Sequence, residues 1–507
     1  MIYKNKYIVV QGHYDFGGHA TLRNYPITVA PLTLQNCRAC IDAGLPTHDP
    51  LATYRYDLSP IQPYRHQRET ATFLALNPRA FCWNEAGTGK TASCLWAIDY
   101  LFSQNIINSV LIVCPLSTTQ AVWFKECLRL IPILHAEVLI GASDRRRKLF
   151  LKKYPIYITN HDGIKVLKDD MLKNPPDLII VDESTAFKNA RTDRWRTLNL
   201  LSKTAKYIWF LSGTPAPQAP TDLYAQGKIV CPEFAGKSFI RFRDKVMQQI
   251  SQFKWVVKPD FERTLKDLIK PVIRFARDDC LDLPDIIYQT IETELSTKQA
   301  HAYNTLRRQA IVMINKNEIT AVNEGVMRSK LLQCCGGQLY GTDEQGARSV
   351  VDLNPAPRLD ATLDIVSECA RGVLIFVPFI SMLDNLNAFL TAQKITCKTI
   401  SGETSLKLRT HYFDRFQNGE IKVLIAHPRT MGHGVTLTYA DTVIWYVVSS
   451  DNELYEQANS RIHRIGQANK MRIIHLISTK LEAQILQRLQ DKQTVQGVLL
   501  DTLGTAP

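Results

Sequence analysis

CWNEAGTGKTAS, residues 82–93, is a glycine-rich turn between an apolar run and a helix-like stretch. Gly87 and Gly89 let the backbone approach an anion with no Cβ in the way. The N–H groups of Ala86, Gly87, Thr88 and Gly89, with those of the helix start that follows, form a nest for phosphate. Lys90 reaches the β- and γ-phosphates of a nucleotide as a point charge. The Thr91 hydroxyl is placed to ligate Mg2+. A strict G-x-x-x-x-G-K-[ST] loop carries glycine where this chain has Asn84, so the loop is a variant of that pattern. A strand over 80–83 followed by a helix from about 90 is the expected setting.

Working outward, the same rhythm recurs. Apolar runs at 80–83, 109–115, 155–160, 177–182 and 207–213 alternate with amphipathic stretches, and a second series follows at 372–378, 397–402, 421–428, 441–448 and 471–478. Short continuous apolar runs alternating with helices predict doubly wound parallel sheets. The fold class is therefore α/β, with two such lobes and ligands bound beyond the carboxyl ends of the strands. The expected division is an N-terminal strand-rich module over 1–58, a first lobe over 59–285 with a helical insertion at about 226–275, and a second lobe over 286–507 with one at about 296–350.

Composition sets the outer limits. The 507 residues are 45% hydrophobic and 21% charged, ordinary for a folded chain. Twelve cysteines are too few for a disulfide scaffold, and most lie in apolar runs as small buried thiols. No apolar run approaches the ~18 residues of a membrane span. The start of the chain lacks a signal-peptide layout. A cytoplasmic or nucleoid-associated monomer is expected, in the host cytoplasm if the protein is viral. A net charge of +13 points to an anionic partner, nucleic acid first. The basic run SDRRRKLFLKK (143–153) reads as a solvated helix face. Cys37 and Cys40 have C-x-x-C spacing with His13, His19 and His48 nearby, a candidate Zn2+ site that lacks a clearly spaced second pair.

Two further stretches carry chemistry. In DLIIVDESTAFKN (177–189) an apolar strand delivers Asp182 and Glu183 to its end. Asp182 is suited to hold Mg2+ and Glu183 to deprotonate an attacking water. In YEQANSRIHRIGQ (455–467), Gln457, Arg461 and Arg464 stand at i, i+4 and i+7, one face of a helix. Two arginines on one face can clamp a γ-phosphate in the transition state.

Together these residues resemble the Swi/Snf family of DNA-dependent ATPases within helicase superfamily two, over about residues 61–490. YRHQRETATFL (64–74) is similar to the family's adenine-reading motif, which makes Gln67 the reader. NEAGTGKT, VLIVCPLSTTQAVWFKE (110–126), YITNHDG (157–163), VDEST and WFLSGTPAPQAPTDLYA (209–225) resemble its motifs I to III. GVLIFVPF, TISGETS, AHPRTMGHGVTLTYADTVIWY and QANSRIHRIGQ resemble motifs IV to VI, and PVIRFARDDCLDLPD with ELSTKQAHAYNTL resembles the segment joining the lobes.

The resemblance implies ATP held by the cradle with Gly434 and Gln457 also at the nucleotide, and coupling of hydrolysis to movement through Ser212 and Thr214. It also implies double-stranded or branched DNA gripped by its phosphates, with Ser117, Thr118, Thr159, Ser401, Gly402 and Thr436 as contacts. Ser184-Thr185 replaces the family's Ala-His. Three functions remain open at this point: a duplex DNA translocase, a strand-separating helicase on DNA or RNA, and a nucleic-acid-binding protein with a decayed ATPase. Lys90, Thr91, Asp182, Glu183, Arg461 and Arg464 are all present, which disfavours the last.

Overall fold

The computed structural model describes residues 2–3, 6–22, 24–46, 48–216, 219–235, 238–251, 254–280, 284–315, 321–342, 348–431, 436–464 and 466–490. The chain forms two compact units, Met1–Cys280 and a second over 281–495.

The first unit begins with a four-stranded antiparallel sheet of β1 (Ile2–Tyr3), β2 (Tyr7–Gln11), β3 (Gly18–Leu22) and β4 (Tyr25–Pro31), in the order β1-β2-β4-β3. Helix α1 (Leu34–Asp42) follows, with Thr33 accepting the Asn36 N–H as its cap. Its buried face, Leu34, Cys37 and Cys40, joins Ile8 and Val10 in one core with Leu74, Ala75 and Trp96 of the parallel-sheet unit. Arg38 strengthens this junction, donating to the carbonyls of Ala75 (2.6 Å) and Leu76 (2.9 Å) at the end of helix α2 (Arg65–Leu76). The N-terminal strands thus share their core with the sheet that follows.

Cys37 and Cys40 belong to that core and do not form a zinc site. Both are fully buried, and burial pushes the Cys37 thiol up to about 12, away from the thiolate that a metal needs. Among the described residues no group of three or more His, Cys, Asp or Glu is placed to hold a metal ion.

The central sheet of this unit has seven parallel strands: β5 (Arg79–Cys82), β6 (Val110–Cys114), β7 (Ala136–Val138), β8 (Ile156–Asn160), β9 (Leu178–Asp182), β10 (Tyr207–Leu211) and β13 (Val272–Ile273). Their order is β13-β5-β10-β9-β6-β8-β7. Side chains alternate between two cores. Ile112, Ile158, Ile180 and Trp209 face one layer, whereas Leu111, Ile179, Val181, Ile208 and Phe210 face the other. Register then decides where polar residues emerge. Leu211 lies opposite both Cys82 and Asp182, and Cys114 opposite Asn160. The loops after β5, β6, β8, β9 and β10 therefore leave from one edge of the sheet.

The second unit repeats the design. Strands β14 (Ile286–Glu292), β17 (Gly372–Phe376), β18 (Cys397–Ile400), β19 (Val423–Ala426), β20 (Ala440–Trp445) and β21 (Met471–Ile477) form a parallel sheet in the order β14-β21-β20-β17-β19-β18. Val373, Ile375, Ile444 and Ile474 fill one face, and Leu374, Phe376, Val443 and Trp445 the other.

The stretches expected to be helical insertions contain helices Leu223–Val230, Phe239–Val246, Phe261–Leu268, Thr297–Asn315 and Ala321–Gly336. They also hold two antiparallel hairpins, β11 (Met247–Ser251) with β12 (Lys254–Val257), and β15 (Gln338–Thr342) with β16 (Arg348–Asp352). Polar strands such as MQQIS and QLYGT present no apolar run to mark them. No helix among the described residues is long and apolar enough to cross a membrane.

Candidate nucleotide-hydrolysis site

The loop after β5 is built by its neighbours. Asn84 is fully buried, its Nδ2 donating to the Thr70 hydroxyl (2.9 Å) and its Oδ1 accepting the Phe275 N–H (2.9 Å). One side chain thus ties helix α2 to the segment after β13. Glu85 makes a second tie, accepting from Arg274 Nη2 (3.0 Å) and the Arg277 N–H (3.2 Å). Gly87 and Gly89 have φ of +93° and +87°, the left-handed region that glycine favours. Gly89 is required twice over, since a Cβ there would lie 2.2 Å from Gln67 Nε2. Gly89 caps helix α3 (Lys90–Ser103), so Lys90 and Thr91 open that helix at the loop. The Lys90 ammonium donates to the carbonyls of Asn84 (2.8 Å) and Glu85 (3.1 Å), folding back on its own loop.

Gln67 is buried beside this loop. Its Nε2 donates to the Thr88 carbonyl (3.1 Å), and its Oε1 accepts the Tyr64 N–H (3.1 Å) at the start of α2. His66 Nε2 lies 2.9 Å from the same carbonyl. The amide keeps a second N–H and a second lone pair for a ligand.

Asp182 ends β9. Its Oδ2 accepts from the Trp123 indole N–H (2.9 Å) and its Oδ1 from the Glu183 N–H (3.0 Å). Glu183 has φ +49° and ψ +58°, a costly conformation for a residue with a Cβ. Thr91 and Asp182 offer hard oxygens, the donor type Mg2+ takes when substrate phosphates and water complete its shell. From the adjacent strand end, a Cβ at Gly213 would lie 3.3 Å from Ala86 N and 3.7 Å from Lys90 Nζ, so the loops after β5 and β10 touch. Ser212 is buried and accepts the Thr214 N–H (3.0 Å). Ser184 donates to Gln226 Oε1 (2.7 Å), and Gln226 Nε2 donates to the Pro215 carbonyl (3.0 Å). The chain thus connects the Asp182–Glu183 turn to the Ser212–Pro215 turn through Ser184 and Gln226. No sequence pattern marks Gln226, and Trp123 reads only as an apolar residue within VLIVCPLSTTQAVWFKE.

In the second unit the expected shared helical face of Gln457, Arg461 and Arg464 is not formed. The helix Asn452–Asn459 stops before the arginines, with Ser460 as its cap. The Arg461 carbonyl instead accepts the Leu437 N–H (3.0 Å), and Gln467 Nε2 donates to the carbonyls of Ala440 (2.8 Å) and Ile462 (3.3 Å), fixing 461–464 as turns. Arg461 is buried and donates back to the Gln457 carbonyl (3.0 Å), Gln457 Nε2 reaches Glu453 (3.3 Å), and half-buried Arg464 reaches the Thr436 hydroxyl (3.4 Å). Gly434 lies outside the described residues.

The expected DNA contacts divide. Ser117, Gly402 and Thr436 are exposed, and Ser401 is half-buried beside Thr404, whose hydroxyl accepts its N–H. Thr118 and Thr159 are buried, their hydroxyls donating to the carbonyls of Pro115 (2.9 Å) and Leu139 (3.1 Å). Those two side chains act within the fold, as a turn cap and a strand tie. Helix Ser143–Phe150 carries Arg145, Arg146, Arg147 and Lys148; Arg146 donates to Asn160 Oδ1 (3.1 Å), placing positive charge at the end of β8.

The family model of the SNF2-related domain matches residues 76–336, and that of the Helicase conserved C-terminal domain matches 358–466. The chain belongs to the SNF2-related family. It carries the helicase-like ATPase domains of that family on two units, each built round a parallel sheet. It is 26% identical over 470 residues to protein p41 of Acyrthosiphon pisum secondary endosymbiont phage 1, covering 87% of this chain and 98% of that protein. It is 24% identical over 511 residues to the SWI/SNF-related matrix-associated actin-dependent regulator of chromatin subfamily A-like protein 1 of Drosophila melanogaster, covering 97% of this chain but 64% of that longer protein. The Sulfolobus solfataricus SWI2/SNF2 ATPase core in complex with dsDNA is 23% identical, with a TM-score of 0.41 over 88% of this chain and 95% of that one.

Proposed function

We propose that this SNF2-family chain is an ATP-dependent double-stranded DNA translocase that remodels forks, branched DNA or protein–DNA complexes. The observation that carries the reading is the convergence at one sheet edge of the Gly87–Thr91 cradle, the Asp182–Glu183 pair and the exposed turn at Ser117.

In this reading the N–H groups from Ala86 to Gly89 and the Lys90 ammonium hold the phosphates of ATP, and Gln67 reads the adenine edge with its remaining donor and acceptor. Thr91 and Asp182 hold Mg2+, which neutralises phosphate charge when bound. Glu183 takes the proton of the attacking water, and the hydrogen-bonded chain Ser184–Gln226–Pro215 links that step to Ser212 and Thr214. Arg461 and Arg464, with Gln457 and Gly434, are the second unit's residues suited to stabilise charge on the transferring phosphoryl group. Ser117, Ser401, Gly402 and Thr436 contact DNA phosphates, a grip that is largely independent of sequence and weakens with salt.

The test compares steady-state ATP turnover with blunt duplex, single strands, forks and four-way junctions. Duplex or branched DNA is expected to stimulate turnover at least tenfold more than single strands do. Equal stimulation by single strands, together with unwinding of simple partial duplexes, would replace the translocase with a strand-separating helicase.

A further inference from the structure

Trp123 sits in a π-helical turn, Thr119–Phe124, that directly continues the short helix Leu116–Thr118. Such an extra-residue turn re-aims a side chain that a regular helix would point elsewhere. Here the indole is wholly buried, yet its N–H reaches one carboxylate oxygen of Asp182. A buried indole N–H needs a partner, and here that partner is the carboxylate at the end of β9. The second approach comes from the next strand. His161, immediately after β8, lies with Nε2 2.8 Å from the Asp182 carbonyl, so that nitrogen carries the proton. Both of these neighbouring turns are thus tied to the same residue, one to its carboxylate and the other to its peptide. That peptide leads into Glu183, whose left-handed backbone leaves it sensitive to small displacement.

Both turns also face outward. Ser117 and Leu116 are exposed, and Asn160 is held by an arginine of the basic helix Ser143–Phe150. We infer that Trp123 and His161 are positioning residues that transmit duplex occupancy of the Leu116–Thr118 and Asn160–Gly163 turns to Asp182 and, through its peptide, to Glu183. The inference rests on the proposed function, because it takes those turns to lie along DNA. It adds the route by which DNA acts on hydrolysis: a phosphate bound at either turn moves a side chain that already holds Asp182.

Such a route is a coupling between two sites and must be reciprocal in binding. The test titrates a fluorescent ATP analogue, with Mg2+, in the absence and presence of saturating duplex, alongside turnover under both conditions. In the unaltered protein, duplex is expected to change nucleotide affinity by about fivefold or more, the usual range for coupled sites. In Trp123→Phe, which keeps a buried ring but removes the N–H, that factor should fall below about twofold, and the stimulation of turnover should fall about tenfold. Duplex affinity without nucleotide should stay within about twofold. His161→Leu, at a partly exposed site, gives the same test if Trp123→Phe does not fold, and the double variant should lose no more coupling than the worse single one. A Trp123→Phe protein coupled as strongly as the parent overturns the inference. So does one that loses nucleotide affinity or turnover in equal proportion with and without duplex, for that would be static support alone. An unaltered protein indifferent to duplex would remove the proposed function itself, and the relay with it.

Discussion

The first unit locks its polar residues into a network at the sheet edge, whereas the second presents its arginines on turns beyond a helix end. Around the cradle, Asn84, Glu85, Gln67, Asp182 and Ser184 each hold a hydrogen bond to another segment of the unit, and Lys90 folds back on its own loop. Arg461 and Arg464 stand instead on turns held by backbone bonds, the Arg461 carbonyl accepting the Leu437 N–H, with Arg461 donating to the Gln457 carbonyl and Arg464 reaching the exposed Thr436 hydroxyl. The second unit keeps its strongest polar tie elsewhere. Arg358 and Glu482 are both buried, with Arg358 Nη2 3.0 Å from each carboxylate oxygen and 2.7 Å from the Ser478 hydroxyl. The contrast teaches that the groups proposed for hydrolysis are tied down in the first unit, where such chemistry needs placement within fractions of an ångström, while the second places a buried ion-pair network in its own core.

The largest effect should come from breaking the first network at its chemical end. Glu183→Gln keeps the size and the backbone but cannot accept a proton. Nucleotide binding should remain within about twofold while turnover falls about 10³-fold, within the range of general-base catalysis. Turnover within tenfold of the parent, in a single-turnover assay, would remove Glu183 as the base.

The second unit breaks differently. Glu482→Gln leaves the Arg358 guanidinium buried with a neutral partner, a change worth about 3–5 kcal/mol in comparable pairs. It should lower the stability of the second unit, seen as earlier loss of structure in denaturant, with nucleotide affinity of the first unit unchanged. Replacing both by apolar residues, Arg358→Met with Glu482→Leu, should recover most of that loss. Acid probes the same core. His475 is buried against the Tyr455 hydroxyl (2.9 Å), and desolvation lowers its pKa to about 4. The folded state therefore stays unprotonated where an unfolded histidine, near 6.5, takes up a proton. Stability is full above about pH 6.5 and falls as pH drops toward 4, by roughly 3 kcal/mol in all. His475→Gln should flatten that slope in pH-dependent unfolding.

Much of this was legible in the sequence because parallel strands buried on both faces leave continuous apolar runs. The runs that mark β5, β6, β8, β9, β10, β17, β19, β20 and β21 are of that kind, whereas edge strand β18 carries an exposed Lys398. The candidate site residues Gly87–Thr91, Asp182, Glu183 and Ser212 stand at or follow the ends of such strands. What escaped has physical reasons too. Strands β11, β12, β15 and β16 are short, partly polar hairpin strands with no such run. The spacing of Gln457, Arg461 and Arg464 fits a helix, yet long-range bonds from Leu437 and Gln467 end it at Asn459. Cys37 and Cys40 have a metal-like spacing that is also one face of a helix, and tertiary packing chose the core. Trp123 reads as another buried aromatic unless one knows that Asp182 lies within reach of its N–H.

The smallest expected effect is the one that bears most directly on the loop. Asn84→Gly would convert residues 84–91 into the strict G-x-x-x-x-G-K-T pattern, so sequence similarity alone predicts an equal or better nucleotide site. The structure predicts the reverse. Among the described residues with positive φ, this loop contributes Gly87 and Gly89 but not Asn84, so glycine gains nothing there conformationally. It would leave the Phe275 N–H without its acceptor and the Thr70 hydroxyl without the Nδ2 donor, in a fully buried setting. An unsatisfied buried group costs about 1–3 kcal/mol, and glycine adds about 0.5–1 kcal/mol of chain entropy. The first unit should therefore lose about 2–3 kcal/mol of stability, with nucleotide affinity weakened a few-fold because the loop is no longer tied to both α2 and the segment after β13. Asn84→Asp, which keeps an acceptor for Phe275 but not the donor to Thr70, should fall between the two. Denaturant titration with and without ATP separates the outcomes: a glycine variant as stable as the parent, binding ATP more tightly, would show that Asn84 is a tolerated departure from the pattern rather than the strut that holds the cradle open.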